Sequence, residues 1–246
     1  MIQLPTFQPI THPYPFSYYS VSFDASDDYA DPGLDFGSIF QGTFSISCWL
    51  KYTSDSGTQM IFAADSQVGG DNNRVNIYRA VGETRMFMTA EGTASTINGW
   101  THGPGTGKHH YLFVFRQDGA DVDQEMYVNG TLRASNTTST MDMSDYGTST
   151  QKAKPYIGAR NTGDASNTAE FFFNGNIDDF MIVGSDLSAS ASAIYNSGTP
   201  GDLSSYSPYG WWRMGDDDGG TGSTITDKGS GGNNLSLQGG AAIQAV

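Results

Sequence analysis

Short runs in which apolar and polar residues alternate, each closed by a glycine, asparagine or aspartate, constrain this chain to β-structure. In "TFSISCWLKY" (43–52), Phe44, Ile46, Cys48 and Leu50 recur at period two and share one face of a strand. "YYSVSF" (18–23), "QMIFAA" (59–64), "RVNIYRA" (74–80), "TRMFMTA" (84–90), "QEMYVNG" (124–130) and "AKPYIGA" (153–159) also read as strands. "HHYLFVFRQ" (109–117) is apolar on both faces, which predicts a strand covered on both sides. Turn signals stand between these runs at Asp55-Ser56-Gly57, Val81-Gly82, Gln117-Asp118-Gly119 and Asn129-Gly130. Many short strands at such spacing predict an all-β fold, a two-sheet antiparallel jelly-roll sandwich. No stretch reads as a βαβ unit.

The chain has 246 residues, enough for one large β domain. Residues 1–17 carry Pro5, Pro9, Pro13 and Pro15 among aromatics, which predicts an extended N-terminal arm outside any central strand. Residues 18–198 are expected to form the sandwich. Residues 199–246 read as a C-terminal extension packed on it, with Trp211-Trp212 and Leu235-Ser236-Leu237 as short strands in Gly-rich turns.

A formal net charge of −14, from 26 acidic and 12 basic residues, argues against nucleic acid and anionic membrane surfaces as partners. No apolar run is long enough to span a bilayer, and the start lacks the basic and apolar regions of a signal peptide. The single Cys48 reads as a small core residue.

Several motifs imitate catalytic or ligand-binding patterns and fail. "HGPGTGKHH" (102–110) resembles a phosphate-binding loop, but His102 stands where its first glycine belongs and His109 follows the lysine. A strand, not a helix, is expected after it. His109 and His110 are adjacent in a strand and point to opposite faces, so both cannot chelate one metal. Of the four glutamates, only Glu125 has a neighbouring carboxylate at strand spacing, Asp123, and that pair lies at a hairpin. The chain is therefore expected not to be an enzyme.

Three segments, in order, resemble the laminin-G/pentraxin-like branch of the concanavalin A-like lectin fold. They are "YSVSFDASDDYAD" (19–31), "HHYLFVFRQDGADVDQEMYVNGTLRAS" (109–135), with its Tyr-Val-Asn-Gly hairpin, and "PYIGARNTGDASNTAEFFFNGNIDDFMIVGSDLSASASAIYNSG" (155–198). The resemblance implies one short helix after the last strand. Ser188 would cap it, Gly198 would end it, and Leu187 and Ile194 would face the sandwich. It also implies one structural calcium ion held by Asp24, Asp27 and Asp28, with Asp178 or Asp179 approaching from the far strand. Asp216-Asp217-Asp218 is expected to be a solvated turn.

The Gly-rich end is similar to segments that follow such domains in structural proteins of marine tailed phages. The first functional reading is thus a non-enzymatic virion protein, a decoration or fibre component on the particle surface. It would assemble with other virion proteins and with copies of itself through residues 1–17. The alternative is a carbohydrate-binding module of a secreted or cell-surface system, with Tyr78, Trp100, Tyr146, Arg160, Asn161 and Asp164 as candidate glycan contacts. A virion lectin could serve both roles by contacting host glycans. A glycosidase or lyase, with Asp123 and Glu125 as the residues to test, is a third reading.

Overall fold

The computed structural model describes residues 17–33, 36–66, 73–90, 93–101, 107–146, 154–162 and 168–246. The expected arm therefore lies outside the described residues except for Ser17. The alternating runs form two antiparallel sheets packed face to face, a jelly-roll sandwich with one short helix.

In the first sheet the strands lie in the order β10 (Thr131–Ser139), β9 (Asp121–Val128), β8 (His109–Asp118), β3 (Phe44–Tyr52), β14 (Asn174–Val183), β1 (Tyr19–Asp24) and β18 (Ala242–Ala245). A further strand, β15 (Gly210–Trp212), pairs with the far end of β14. The second sheet runs β16 (Thr224–Ile225), β17 (Leu235–Gln238), β2 (Tyr29–Asp31), β11 (Lys154–Ile157), β4 (Gln59–Ser66), β5 (Asn73–Ala80), β6 (Glu83–Ala90) and β7 (Thr93–Thr101). A small ladder, β12 (Arg160–Asn161) with β13 (Ala169–Glu170), stands beside them.

Period two decides which side chains meet between the sheets. Phe44, Ile46, Cys48 and Leu50 are all fully buried there, against Phe62, Val75, Ile77, Met86 and Met88 of the second sheet. The 199–246 segment supplies strands to both sheets, and its Trp212, Ile225, Leu235 and Leu237 join the same core.

The outer face of the first sheet is also covered, because β8 and β14 are apolar on both sides. Leu112, Val114, Met181, Val183 and Trp211 pack there against Leu187, Ala191, Ile194 and Leu203. The helix α1 (Ala191–Tyr195) is one turn long and depends on this contact. It lies over the outer face of the first sheet. Its boundaries are set differently from the expectation. A 3-10 turn over Ser188–Ser190 precedes it, so Asp186 accepts the Ser188 N–H at 2.8 Å, one turn ahead of the helix. Asn196, at φ +46°, makes the left-handed exit in place of Gly198.

Two hairpins turn through two residues at positive φ, the geometry that matches strand twist. Asn129-Gly130 has φ of +51° and +73°, and Asn129 Oδ1 also accepts the His110 N–H. Val81-Gly82 has φ of +53° and +79°, and there a β-branched residue takes the left-handed position while exposed to solvent. Val81→Asn is expected to stabilise the fold by about 1 kcal/mol, read as a higher melting temperature, since asparagine tolerates that conformation.

Candidate functional site

β1 ends and the chain crosses to the second sheet through residues 24–28, at one rim of the sandwich. The turn brings Asp24, Asp27 and Asp28 together, with one carboxylate oxygen of each within 4.8 Å of the others. Asp24 Oδ1 accepts the Ser26 N–H at 2.8 Å. Asp28 is buried; one oxygen accepts the Asp24 N–H at 2.9 Å and the other accepts the N–H of Gly240. Burial raises the Asp28 carboxyl above its ordinary range, backbone hydrogen bonds oppose this, and the charges of Asp24 and Asp27 add to the rise. The triad therefore concentrates three negative charges that a hard divalent cation would relieve. Each carboxylate oxygen retains a lone pair beyond its hydrogen bond, so donor type and charge both fit such an ion.

The β17–β18 turn supports this acidic turn from the C-terminal segment. A Cβ at Gly239, whose φ is +69°, would sit 2.3 Å from the Asp27 carbonyl oxygen. Gly239→Ala must therefore displace the acidic turn.

Asp178 and Asp179 do not reach this turn, and the expectation that they complete it is corrected. Asp24 pairs with Asn174, and Asp178 lies four residues further along β14, about 13 Å away at ~3.3 Å per residue. A β-bulge inserts one residue between Asp178 and Met181, with Asp179 at φ +47°. Both aspartates fall between the core residues Ile177 and Phe180, where β14 changes neighbour from β1 to β15. Asp178 Oδ2 accepts from Lys108 Nζ at 2.9 Å and Ser17 Oγ at 2.6 Å, and Asp179 Oδ1 accepts from the Trp211 indole at 2.7 Å. Burial first, then the charge of Asp178, pushes Asp179 up to about 8. Asp216-Asp217-Asp218 lies in a turn as expected, with Asp217 exposed, but the Asp216 side chain is drawn into the same seam. It accepts from the Tyr18 N–H at 2.8 Å and pairs with Arg213 at 3.2 Å.

The expected glycan contacts do not converge. Tyr146 is 0% exposed and donates its hydroxyl to the Ala64 carbonyl at 2.7 Å, so its ring cannot carry a sugar. Asn161 is likewise 0% exposed, on β12. Arg160 is held by Asp65 at 2.6 Å and by Glu170 at 2.7 Å. Trp100 lies on the edge strand β7 beneath the Arg133 guanidinium, 4.3 Å from its ring centre. Tyr78 is half-buried on β5, and Asp164 lies outside the described residues. Asp123 and Glu125 both pair with Arg116, at 2.9 and 3.4 Å.

A cleft missed in the sequence opens beside the acidic turn. It has a volume of about 330 Å³ and is lined by Ala25, Ser54, Ser56, Thr58, Gln59, Phe171, Phe172 and Asn174. Phe171 sits at φ +55° and is 43% exposed, an aromatic ring presented to solvent by a left-handed backbone. Its carbonyl is anchored by the Met60 N–H at 2.7 Å, and Ala25 N–H donates to the Phe173 carbonyl at 2.9 Å, which ties the cleft wall to the acidic turn. Gln59 is spent on structure, bonding Ser54, Ser56 and Asn174 backbone groups. The Ser56 and Thr58 hydroxyls, the Ser54 hydroxyl, which accepts the Ser56 N–H at 3.1 Å, and the Asn174 amide make the polar lining around Phe171.

The family model of the concanavalin A-like lectin/glucanases superfamily matches residues 24–191. The chain belongs to this superfamily. The Ruminococcus gnavus IT-sialidase CBM40 bound to α2,3-sialyllactose has a similar fold, with a TM-score of 0.55 and 13% identity over 73% of this chain and 99% of that one. A Bacteroides ovatus protein assigned as carbohydrate-binding gives a TM-score of 0.62 and 14% identity, over 94% of this chain and 60% of that one. The heptameric SAP-like pentraxin of Limulus polyphemus gives a TM-score of 0.50 and 14% identity, over 73% of this chain and 82% of that one. No curated protein matches the sequence. The two-sheet sandwich described above is the architecture of this concanavalin A-like superfamily.

Proposed function

We propose that this chain is a non-enzymatic glycan-binding domain whose sugar site is the rim cleft around Phe171. The observation that carries the reading is the cleft itself, an exposed aromatic ring ringed by hydroxyls and an amide. Sugars use such sites by stacking a ring face on the aromatic and exchanging hydroxyl hydrogen bonds. The carbohydrate-binding neighbours support the reading. On a glycan array, the full chain is expected to give discrete signals, and Phe171→Ala to weaken them about tenfold or more. A Phe171→Ala protein that folds normally and binds as well as wild type would overturn the assignment.

The acidic turn is proposed to bind one calcium ion through Asp24, Asp27 and Asp28. The ion would offset two of the triad's three negative charges and fix the wall of the cleft; hydrogen bonding of sugar hydroxyls remains the task of the chain's own side chains. Millimolar calcium is expected to raise the melting temperature of the wild type, and a chelator to remove the gain. Gly239→Ala should melt at the same temperature with and without calcium. An unchanged wild-type melt in both conditions would sink the calcium assignment.

The setting proposed for this domain is the outside of a phage particle, as a decoration or fibre component assembled through residues 1–17. The similarity of its Gly-rich end to segments of phage structural proteins supports that setting. Light scattering on the full chain should give a defined oligomer that falls to monomer when residues 1–17 are removed. A monomer in both cases would move the domain to a secreted or cell-surface carbohydrate-binding system.

A further inference from the structure

The walls of the rim cleft carry no cationic side chain among the described residues. Their polar groups are three hydroxyls, two amides and backbone, all neutral. Arg79, the cross-strand partner of the cleft residue Gln59, is 1% exposed, is paired with Asp55 and lies 4.1 Å from the centre of the Tyr52 ring. It has no face left for a ligand. Directly beside the cleft, its lining residue Ala25 follows Asp24 in the acidic turn, whose three carboxylates add negative charge next to it. Even with a divalent cation bound, that turn keeps a charge of about −1, three carboxylates against two positive charges.

Cations that could receive an anionic sugar lie elsewhere. Lys51 and Lys108 line a separate cleft of about 370 Å³ together with Ser20, Asn176 and Gln244, on the outer face of the first sheet. Lys108 is already paired there with Asp178. A carboxylate-bearing sugar brought to the Phe171 cleft would lose hydration, meet no positive partner and approach a negative turn on a chain of net charge −14. A neutral pyranose meets none of these costs, because the serine and threonine hydroxyls and the Asn174 amide can donate to or accept from its hydroxyls.

We infer that the Phe171 cleft selects uncharged sugars and rejects sialylated ones. This inference rests on the glycan-binding reading of the same cleft, and it separates the chain from the sialyllactose-bound neighbour that shares its fold. Discrimination comes from the missing cation as much as from the attractive aromatic ring.

The test is an array of neutral oligosaccharides, each printed beside its α2,3-sialylated counterpart, lactose and 3′-sialyllactose among them. It is probed with the full chain at low and at physiological salt, with calcium and with chelator. The expected result is binding to neutral members only, at least about tenfold above their sialylated partners, unchanged by salt and lost in Phe171→Ala. Preferential binding of the sialylated partners would overturn the inference while leaving glycan binding intact. If that binding also fell with salt and in Lys51→Glu, the anionic sugar would belong to the lysine-lined cleft. Silence on every glycan, neutral and sialylated, would overturn the glycan-binding reading itself and this inference with it.

Discussion

Trp212→Ala is expected to cost about 3–5 kcal/mol of folding free energy, measured by denaturant unfolding. The indole comes from the 199–246 segment, yet it is 0% exposed at the centre of the main core. It lies 6.1 Å from Phe36 and 6.2 Å from Phe180, centre to centre, and its Nε1–H donates to the Asn233 carbonyl at 2.8 Å. Removing it leaves a cavity between the sheets and strips a hydrogen bond from a buried carbonyl. Gly210 is fitted to the ring, since a Cβ there would lie 2.3 Å from it. Leu132→Ala, at a position 47% exposed on the edge strand β10, should change stability by no more than about 0.5 kcal/mol. If the segment were an accessory patch, the tryptophan variant would behave like the leucine one. A loss below about 1 kcal/mol would show this.

The second large effect concerns pH. Asp179 is pushed up to about 8, so the folded chain holds a proton that the unfolded chain, with an ordinary carboxyl, has released. Its stabilising contribution is complete below the unfolded carboxyl range and declines as pH rises through about 8. Asp65 and Asp216, each raised to about 6 chiefly by burial, act in the same direction at lower pH. His110 acts against them. Burial lowers it to about 3, so below about 6.5 the unfolded chain takes up a proton that the fold excludes.

Between pH 8 and 6.5 Asp179 acts together with its buried neighbour Asp178, whose carboxyl is raised in the same direction. Stability should increase by about 1–2 kcal/mol as pH falls across that window. Asp179→Asn keeps an oxygen to accept the Trp211 indole proton and tolerates the left-handed backbone. That variant should be more stable than wild type at pH 8 and should lose the slope. A wild-type melting temperature that is flat from pH 8 to 6.5 would contradict the assignment, as would a slope that survives in the variant.

The sandwich was legible because its signals are local. The period-two run from Phe44 to Leu50 and the Asn129-Gly130 turn each specify their own geometry, and the two-faced "YLFVF" run announces its covering layer. The acidic triad was legible for the same reason, being a single turn of five residues. The bulge at Asp178-Asp179 was not. One inserted residue redirects both side chains into the β1–β15 seam, whereas the family resemblance implied that one of them approached the rim. Tyr146 and Asn161 looked like surface residues because their burial depends on packing far away in sequence. Phe171 was hidden by the opposite effect. In "EFFFNG" three successive phenylalanines look like core, and only the positive φ of the first turns it to solvent. Three bulky apolar residues in a row exceed what one strand face can bury, which was the available signal.

The most direct test of the central claim is a chemical-shift map of the isotope-labelled full chain titrated with the neutral glycan that gives the strongest array signal. Perturbations are expected to concentrate at Ala25, Ser54, Thr58, Phe171 and Asn174, with the outer face of the second sheet around Tyr78 unmoved. Perturbations centred on Tyr78 and Arg160, with the Phe171 rim silent, would contradict that claim.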